Sequence, residues 1–63
     1  MTKLDSIVQR LNIAYVPPIK DDDDFISTVN AIIYMLEHHP DRQNLVSIKE
    51  CKDLIEETKS RHS

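Results

Sequence analysis

Twelve consecutive residues, from 25 to 36, place the strongest limit on what this chain can fold into. They read F-I-S-T-V-N-A-I-I-Y-M-L, and apolar side chains recur at steps of four, three and four: Phe25, Val29, Ile32 and Leu36. This spacing keeps them on one face of an α-helix, whereas a strand would alternate apolar and polar residues. Other apolar residues widen that face. We therefore expect a helix, from about residue 24 to 38, that packs against more than one neighbour.

A similar apolar stripe follows in the C-terminal third of the chain, with Leu45, Ile48, Cys51 and Ile55 on one face. The other face carries three oppositely charged pairs four residues apart, which support a solvent-exposed helical surface: Lys49–Asp53, Lys52–Glu56 and Glu57–Arg61. The pattern predicts a third helix that is ion-paired with itself on its outer side.

The start of this third helix has two interpretations. Pro40 and Asp41 suit the first positions of a helix. Ser47 and Glu50 form a capping box, which favours a later start at Ser47. Because Leu45 extends the apolar stripe, we predict the earlier start, near Asp41.

Residues 2–16 form an N-terminal amphipathic segment. Its apolar residues repeat at three- and four-residue steps, and Thr2 followed by Asp5 resembles a capping box. Pro17 and Pro18 disfavour helical conformation, so we expect the segment to end there and residues 17–23 to form a linker. A polyproline ligand is the alternative for the Pro17-Pro18 pair.

The two later helices predict an all-α fold built on an antiparallel helical hairpin, residues 24–61, in one domain of residues 1–63. So short a chain buries little surface, and its single cysteine cannot form an internal disulfide. We therefore expect two hairpins to close their apolar grooves as a homodimeric four-helix bundle, with the N-terminal segment packed outside it or extending it. The predicted dimer and core interface consists of Phe25, Val29, Ile32, Leu36, Leu45, Ile48, Cys51 and Ile55.

Four consecutive aspartates, Asp21–Asp24, precede the second helix. Carboxylates are favoured at a helix N-terminus, where they cap free N–H groups and oppose the helix dipole. A calcium loop counted from Asp21 would need glycine at position six and glutamate at position twelve, but Ile26 and Ile32 stand there. We predict capping, with a weak cation site or an acidic docking patch as alternatives.

No residue pattern indicates catalysis, a cofactor or a metal. His38 and His39 are adjacent, so they diverge on a helix and suit a metal poorly. Cys51 lies on an apolar stripe without a neighbouring base, which is typical of a buried core residue. The chain contains no glycine, which disfavours phosphate-binding loops and dinucleotide folds. We predict a protein that is not an enzyme and has no catalytic, cofactor or metal site.

The charge distribution argues against nucleic acid as a partner. The net charge is −3, and residues 21–41 carry six acidic side chains and no lysine or arginine. Such a chain is a poor non-specific binder of phosphates. We predict an unidentified protein partner, on a candidate surface made of Asp21, Asp22, Asp23, Lys49 and Lys52. The alternative is a small nucleic-acid-binding regulator of transcription or RNA that uses the third helix.

In its length, its lack of glycine, its acidity and its single helical hairpin, the chain resembles the small dimeric helix-turn-helix proteins of Sulfolobus spindle-shaped viruses. That resemblance covers the whole chain and rests on no shared motif. It implies an antiparallel four-helix bundle, an adaptor role, and a viral protein of a heat-adapted archaeal host.

The sequence also favours an intracellular location. No apolar run is long enough for a membrane-spanning helix. The start, M-T-K-L-D-S, lacks the apolar region of a signal peptide. We expect a cytoplasmic protein, in the host cytoplasm if it is viral, with no membrane partner.

Overall fold

The computed structural model of the protein describes residues 2–61. Three α-helices follow one another in this part of the chain: α1 (Lys3–Leu11), α2 (Asp22–His38) and α3 (Ile48–Ser60). A short 3-10 helix, Pro40–Asn44, lies between α2 and α3. Residues 2–61 contain no strand, and the predicted all-helical class is confirmed.

Each α-helix begins at a residue whose side chain caps it. The Asp5 N–H donates to Thr2 Oγ1 at 3.1 Å, and the Thr2 N–H donates back to the Asp5 carboxylate at 3.2 Å. The Asp24 N–H donates to Asp21 Oδ1 at 2.9 Å. Ser47 Oγ accepts from the Glu50 N–H at 3.1 Å. The capping predicted at Thr2 and at the aspartates before α2 is confirmed, and α2 begins two residues earlier than expected. At α3 the cap is Ser47, which was the alternative start.

The early start predicted for α3 is wrong. Residues 40–44 form a 3-10 turn, and the helix begins at Ile48 after the Ser47 cap. The turn is held to the end of α2, because Gln43 Nε2 donates to the Leu36 carbonyl at 3.0 Å. Leu45 therefore lies outside the helix and is 51% exposed. Leu45 was predicted to lie in the core, and within this chain that prediction is wrong.

The N-terminal helix is shorter than the predicted segment of residues 2–16. It stops at Leu11 because Asn12 takes a left-handed conformation, with φ 55° and ψ 44°. The Ile13 N–H then donates to the Val8 carbonyl at 3.2 Å. This bond closes the helix end in a Schellman-type turn. Asparagine is the best residue for this conformation in a chain without glycine. The connection to α2 therefore covers residues 13–20, a longer stretch than the predicted linker.

Ion pairs between distant residues show how α1 lies on the hairpin. Lys3 Nζ contacts Glu57 Oε1 at 2.9 Å, and Arg10 Nη2 contacts Glu50 Oε1 at 2.7 Å. The start of α1 thus lies at the end of α3, and its end lies at the start of α3, so the two helices are antiparallel. Phe25, at the start of α2, shares a surface cavity with the end of α3. α2 is therefore antiparallel to α3, and residues 13–20 must run back along the molecule to reach its start.

The core is built from all three helices. Leu4, Ile7 and Leu11 of α1 are 4% exposed or less. They pack with buried side chains of the hairpin and its turn: Val29, Ile32, Ile33, Leu36, Val46, Cys51, Leu54 and Ile55. The apolar groove that the hairpin was expected to close with a second copy is thus filled by α1 of the same chain. Burial of the hairpin does not by itself require a dimer.

The outer face of α3 carries only part of the predicted ion pairing. Lys49 Nζ contacts Asp53 Oδ2 at 3.0 Å, as expected. Glu57 bonds to Lys3 of α1 instead of Arg61, whose guanidinium donates to Thr58 Oγ1 at 3.4 Å. The Glu57 carboxylate, which the sequence spacing pairs with Arg61, therefore holds α1 against α3 instead.

Candidate functional site

An apolar groove lies between α2 and the segment that connects it to α1. Its volume is about 430 Å³. One side is α2, and the other is the non-helical chain from Ile13 to Pro18. Its lining is mainly apolar, and it lies outside the ion-paired contact of α1 with α3.

The α2 side of the groove consists of residues three or four apart, which share one face of the helix. Ser27 and Ala31 are small, so they form a shallow floor. The Thr28 hydroxyl donates to the Asp24 carbonyl at 2.9 Å, which turns its polar atom back onto the helix. Ile32 and Met35 line the side of the groove nearest the core and make that side apolar.

The opposite wall exists because residues 13–20 cannot continue α1. After the left-handed Asn12, Pro17 and Pro18 hold the chain extended. The Lys20 N–H donates to Asp24 Oδ2 at 3.2 Å, which ties the end of this wall to the first turn of α2. Tyr15 contributes to the lining although 74% of its surface is exposed. The wall therefore presents prolines and an aromatic ring to the groove.

The two ends of the groove differ in charge. Asp24 lines the end at the start of α2, and the exposed Asp21 and Asp23 lie beside it. Toward the end of α2, Tyr34 is 66% exposed and its ring centroid lies 4.2 Å from that of His38. One end of the groove therefore has an acidic lining residue, whereas the aromatic pair lies on α2 outside the lining of the other end.

The candidate partner surface predicted from the sequence falls into two separate patches. Asp21, Asp22 and Asp23 lie at the start of α2, whereas Lys49 and Lys52 lie in the first half of α3. Because these helices are antiparallel, the aspartates and the lysines are near opposite ends of the hairpin. Neither patch lines the groove, but the acidic patch directly precedes Asp24, which does.

The predicted interface residues form most of the hairpin's contribution to the core. Val29, Ile32, Leu36, Cys51 and Ile55 are buried within the single chain. The two remaining helical members, Phe25 and Ile48, are half-buried and pack against the core.

Two ionisable groups within residues 2–61 have clearly shifted pKa values, Cys51 and Glu50. Burial raises the pKa of the Cys51 thiol, and the nearby Glu50 carboxylate raises it further. A protonated, buried thiol is a poor nucleophile. The hydrogen bond from Arg10 lowers the pKa of Glu50, whose carboxylate holds α1 to α3. In the same part of the chain, no group of three or more His, Cys, Asp or Glu side chains is placed to hold a metal ion.

Comparisons with known protein families, characterised proteins and solved structures found no match to this chain. Within its described part, no helix combines the length and the apolar character needed to cross a membrane.

Sequence reasoning missed the groove. Its signal was present in α2 as the small or short side chains at 27, 28 and 31, between Asp24 and Met35 on one helical face. The opposite wall had no such signal, because its position depends on the path of residues 13–20 across the folded molecule.

Proposed function

We propose that this protein is a non-enzymatic interaction module, acting in the cytoplasm, that binds another protein in the groove between α2 and residues 13–18. The observation that carries the proposal is a concave apolar surface of about 430 Å³ left uncovered in a chain with a closed core. Grooves of this size, mainly apolar with a few polar groups at the rim, are typical binding sites. The adaptor role implied by the resemblance to the spindle-shaped-virus proteins belongs to the same proposal.

A pair of neighbouring substitutions tests this function. Ala31→Arg places a long charged side chain on the groove floor, whereas Asn30→Arg makes the same addition at an exposed position that does not line the groove. The tagged protein is cross-linked in cells of its source and its partners are identified by mass spectrometry. We expect a protein that is captured by the wild type and by Asn30→Arg and lost with Ala31→Arg. Identical capture by all three would overturn the proposal.

Binding to nucleic acid is the competing function, and a titration separates the two. We expect labelled duplex DNA and structured RNA to bind weakly at ~0.15 M salt, because a net charge of −3 repels phosphates. Sequence-selective binding tighter than ~10⁻⁷ M, lost in Lys49→Ala and Lys52→Ala, would establish the regulator instead.

We also propose that two copies associate as a homodimer, which is the four-helix bundle expected from the sequence. Because α1 covers the apolar face of the hairpin within one chain, the hairpin of the second copy takes the place of α1 in this bundle. Sedimentation over a dilution series should give twice the 7.3 kDa mass of the chain. A folded monomer at all micromolar concentrations would overturn the homodimer and leave the groove proposal standing.

A further inference from the structure

The groove has the length of a short helix. Its α2 side runs from Asp24 to Met35. At the rise per residue of an α-helix, this stretch makes three helical turns. The small side chains of Ser27 and Ala31 lie midway along it. Packed helices approach most closely where the side chains between them are small. A second helix can therefore lie along α2 in the groove. Its apolar side chains would then contact Met35 of α2 on one side and Pro17 and Pro18 on the other.

The carboxylates at the acidic end of the groove favour a ligand that is positively charged at that end. Asp24 lines this end, and the exposed Asp21 and Asp23 lie next to it in sequence, beside Lys20. The cations Lys3 and Arg61 lie in the separate cavity that Phe25 lines at the same end of α2. Toward the other end, the exposed rings of Tyr34 and His38 are in contact at a tilt of 46°, and neither these rings nor the nearby Glu37 line the groove itself. A ligand with positive charge at one end only is complementary to this distribution.

We infer that the groove binds an amphipathic helix of about three turns from a partner protein, with an apolar face and lysine or arginine in its last turn. This inference rests on the proposed function and specifies its ligand. Cations are favoured at the C-terminal end of a helix by its dipole. The occupant therefore lies antiparallel to α2, with its basic last turn beside Asp21, Asp23 and Asp24 and its first turn beside Tyr34.

Three fluorescein-labelled helical peptides, each about four turns long, test the ligand class. Each has leucine at positions 4, 8 and 11 of 14 and alanine or glutamine elsewhere, so the three apolar residues are the same in all of them. The first carries lysine at its last three positions, the second glutamate at the same positions, and the third lysine at its first three positions. Binding to the full chain is measured by fluorescence anisotropy at ~0.05 M and ~0.15 M salt. We expect a weak affinity for the first peptide, Kd on the order of 10⁻⁵ M as small interfaces give, and at least tenfold weaker binding of the other two.

Variants of the protein locate the binding. Ala31→Arg should reduce the affinity for the first peptide at least tenfold, and Asn30→Arg should not. The double variant Asp21→Asn/Asp23→Asn should reduce the preference for lysine over glutamate, because Asp24 alone remains beside the basic turn, and asparagine at 21 retains the helix cap. Asp53→Asn/Glu56→Gln changes the net charge equally on α3, outside the groove, and should preserve the preference. Circular dichroism melts confirm that each variant is folded.

The outcomes separate this inference from the proposed function. Equal binding of the first two peptides, or an effect of the α3 variant as large as that of the Asp21/Asp23 variant, would overturn the basic-helix ligand. Equal binding of the first and third peptides would overturn the antiparallel orientation. If no peptide binds but Ala31→Arg still loses a partner captured in cells, the inference fails and the interaction module stands. If the chain instead dimerises and Ala31→Arg makes it monomeric, the groove belongs to a second copy and the inference is overturned.

Discussion

Asn12 shows how a single residue decides where the first helix ends. It is the only residue in the described part of the chain with a positive φ, and the hydrogen bonds of the helix end depend on that conformation. A residue with a Cβ and no local hydrogen-bonding group is strained there, whereas glycine is not.

Replacing Asn12 by alanine should therefore lower the free energy of unfolding by about 1 kcal/mol. Asn12→Gly, at the same position, should equal the wild type or exceed it. Urea unfolding followed by circular dichroism measures both. Equal stability of the alanine and glycine variants would show that the left-handed turn does not form.

Cys51 is the other residue whose environment makes a direct prediction. Its side chain is buried, and burial raises the pKa of its thiol, so the reactive thiolate is scarce at neutral pH. We expect it to react with a disulfide reagent only as fast as the protein opens, and at once in guanidinium. A cysteine added at the exposed Ala14 serves as an internal control. Fast reaction of both thiols in the native protein would contradict the buried position.

At the scale of the element, α1 is the part whose role the structure changes most. Its three buried side chains complete the core over the hairpin, and Lys3 and Arg10 bond to α3 at its two ends. Exposed ion pairs contribute little each, so the apolar side chains supply most of the docking energy.

Ile7→Ala should thus cost about 2–5 kcal/mol of the free energy of unfolding. The reason is that the Ile7 side chain is only 1% exposed. Gln9 lies on the exposed side of the same helix. Gln9→Ala should change the free energy of unfolding by less than about 0.5 kcal/mol. Thermal or urea unfolding makes the comparison. Two variants that unfold together would mean that α1 does not pack on the hairpin in solution.

At the scale of the whole molecule, the ion pair between α1 and α3 links stability to pH. The hydrogen bond from Arg10 lowers the pKa of Glu50 in the folded state. The ionised Glu50 carboxylate therefore stabilises the folded state at pH values above its unfolded pKa of about 4.3. This stabilisation is lost as the pH falls through the lower pKa that Glu50 has in the folded state. Both side chains are partly exposed. The contribution is therefore below about 1 kcal/mol and decreases with salt.

Glu50→Gln should consequently be less stable than the wild type at pH 7, and the difference should shrink toward pH 3. Urea unfolding at the two pH values measures it. Asp53→Asn is the control, since its partner Lys49 lies on the same helix. It should show a smaller difference at pH 7. A deficit of Glu50→Gln that stays constant between the two pH values would rule out the ion pair as its cause.

Much of the fold was predictable because it depends on neighbours in the sequence. The caps Thr2, Asp21 and Ser47 act on N–H groups three residues away. The apolar periodicity identified the buried faces of α2 and α3. Where two local signals competed, as at Asp41 and Ser47, the side-chain cap prevailed and Leu45 was left exposed.

What the sequence alone determined was the set of helices, their capped starts, and which faces are apolar, since all of these follow from contacts within a few residues. The tertiary structure decided that α1 covers the hairpin, that Glu57 pairs with the distant Lys3, and that residues 13–18 wall a groove along α2. The apolar face of a helix predicts that the face is buried, but it does not predict which element packs against it. Whether α1 or a second copy covers the hairpin depends on the path of the connecting loop and on side-chain packing, and neither can be predicted from residues close in sequence.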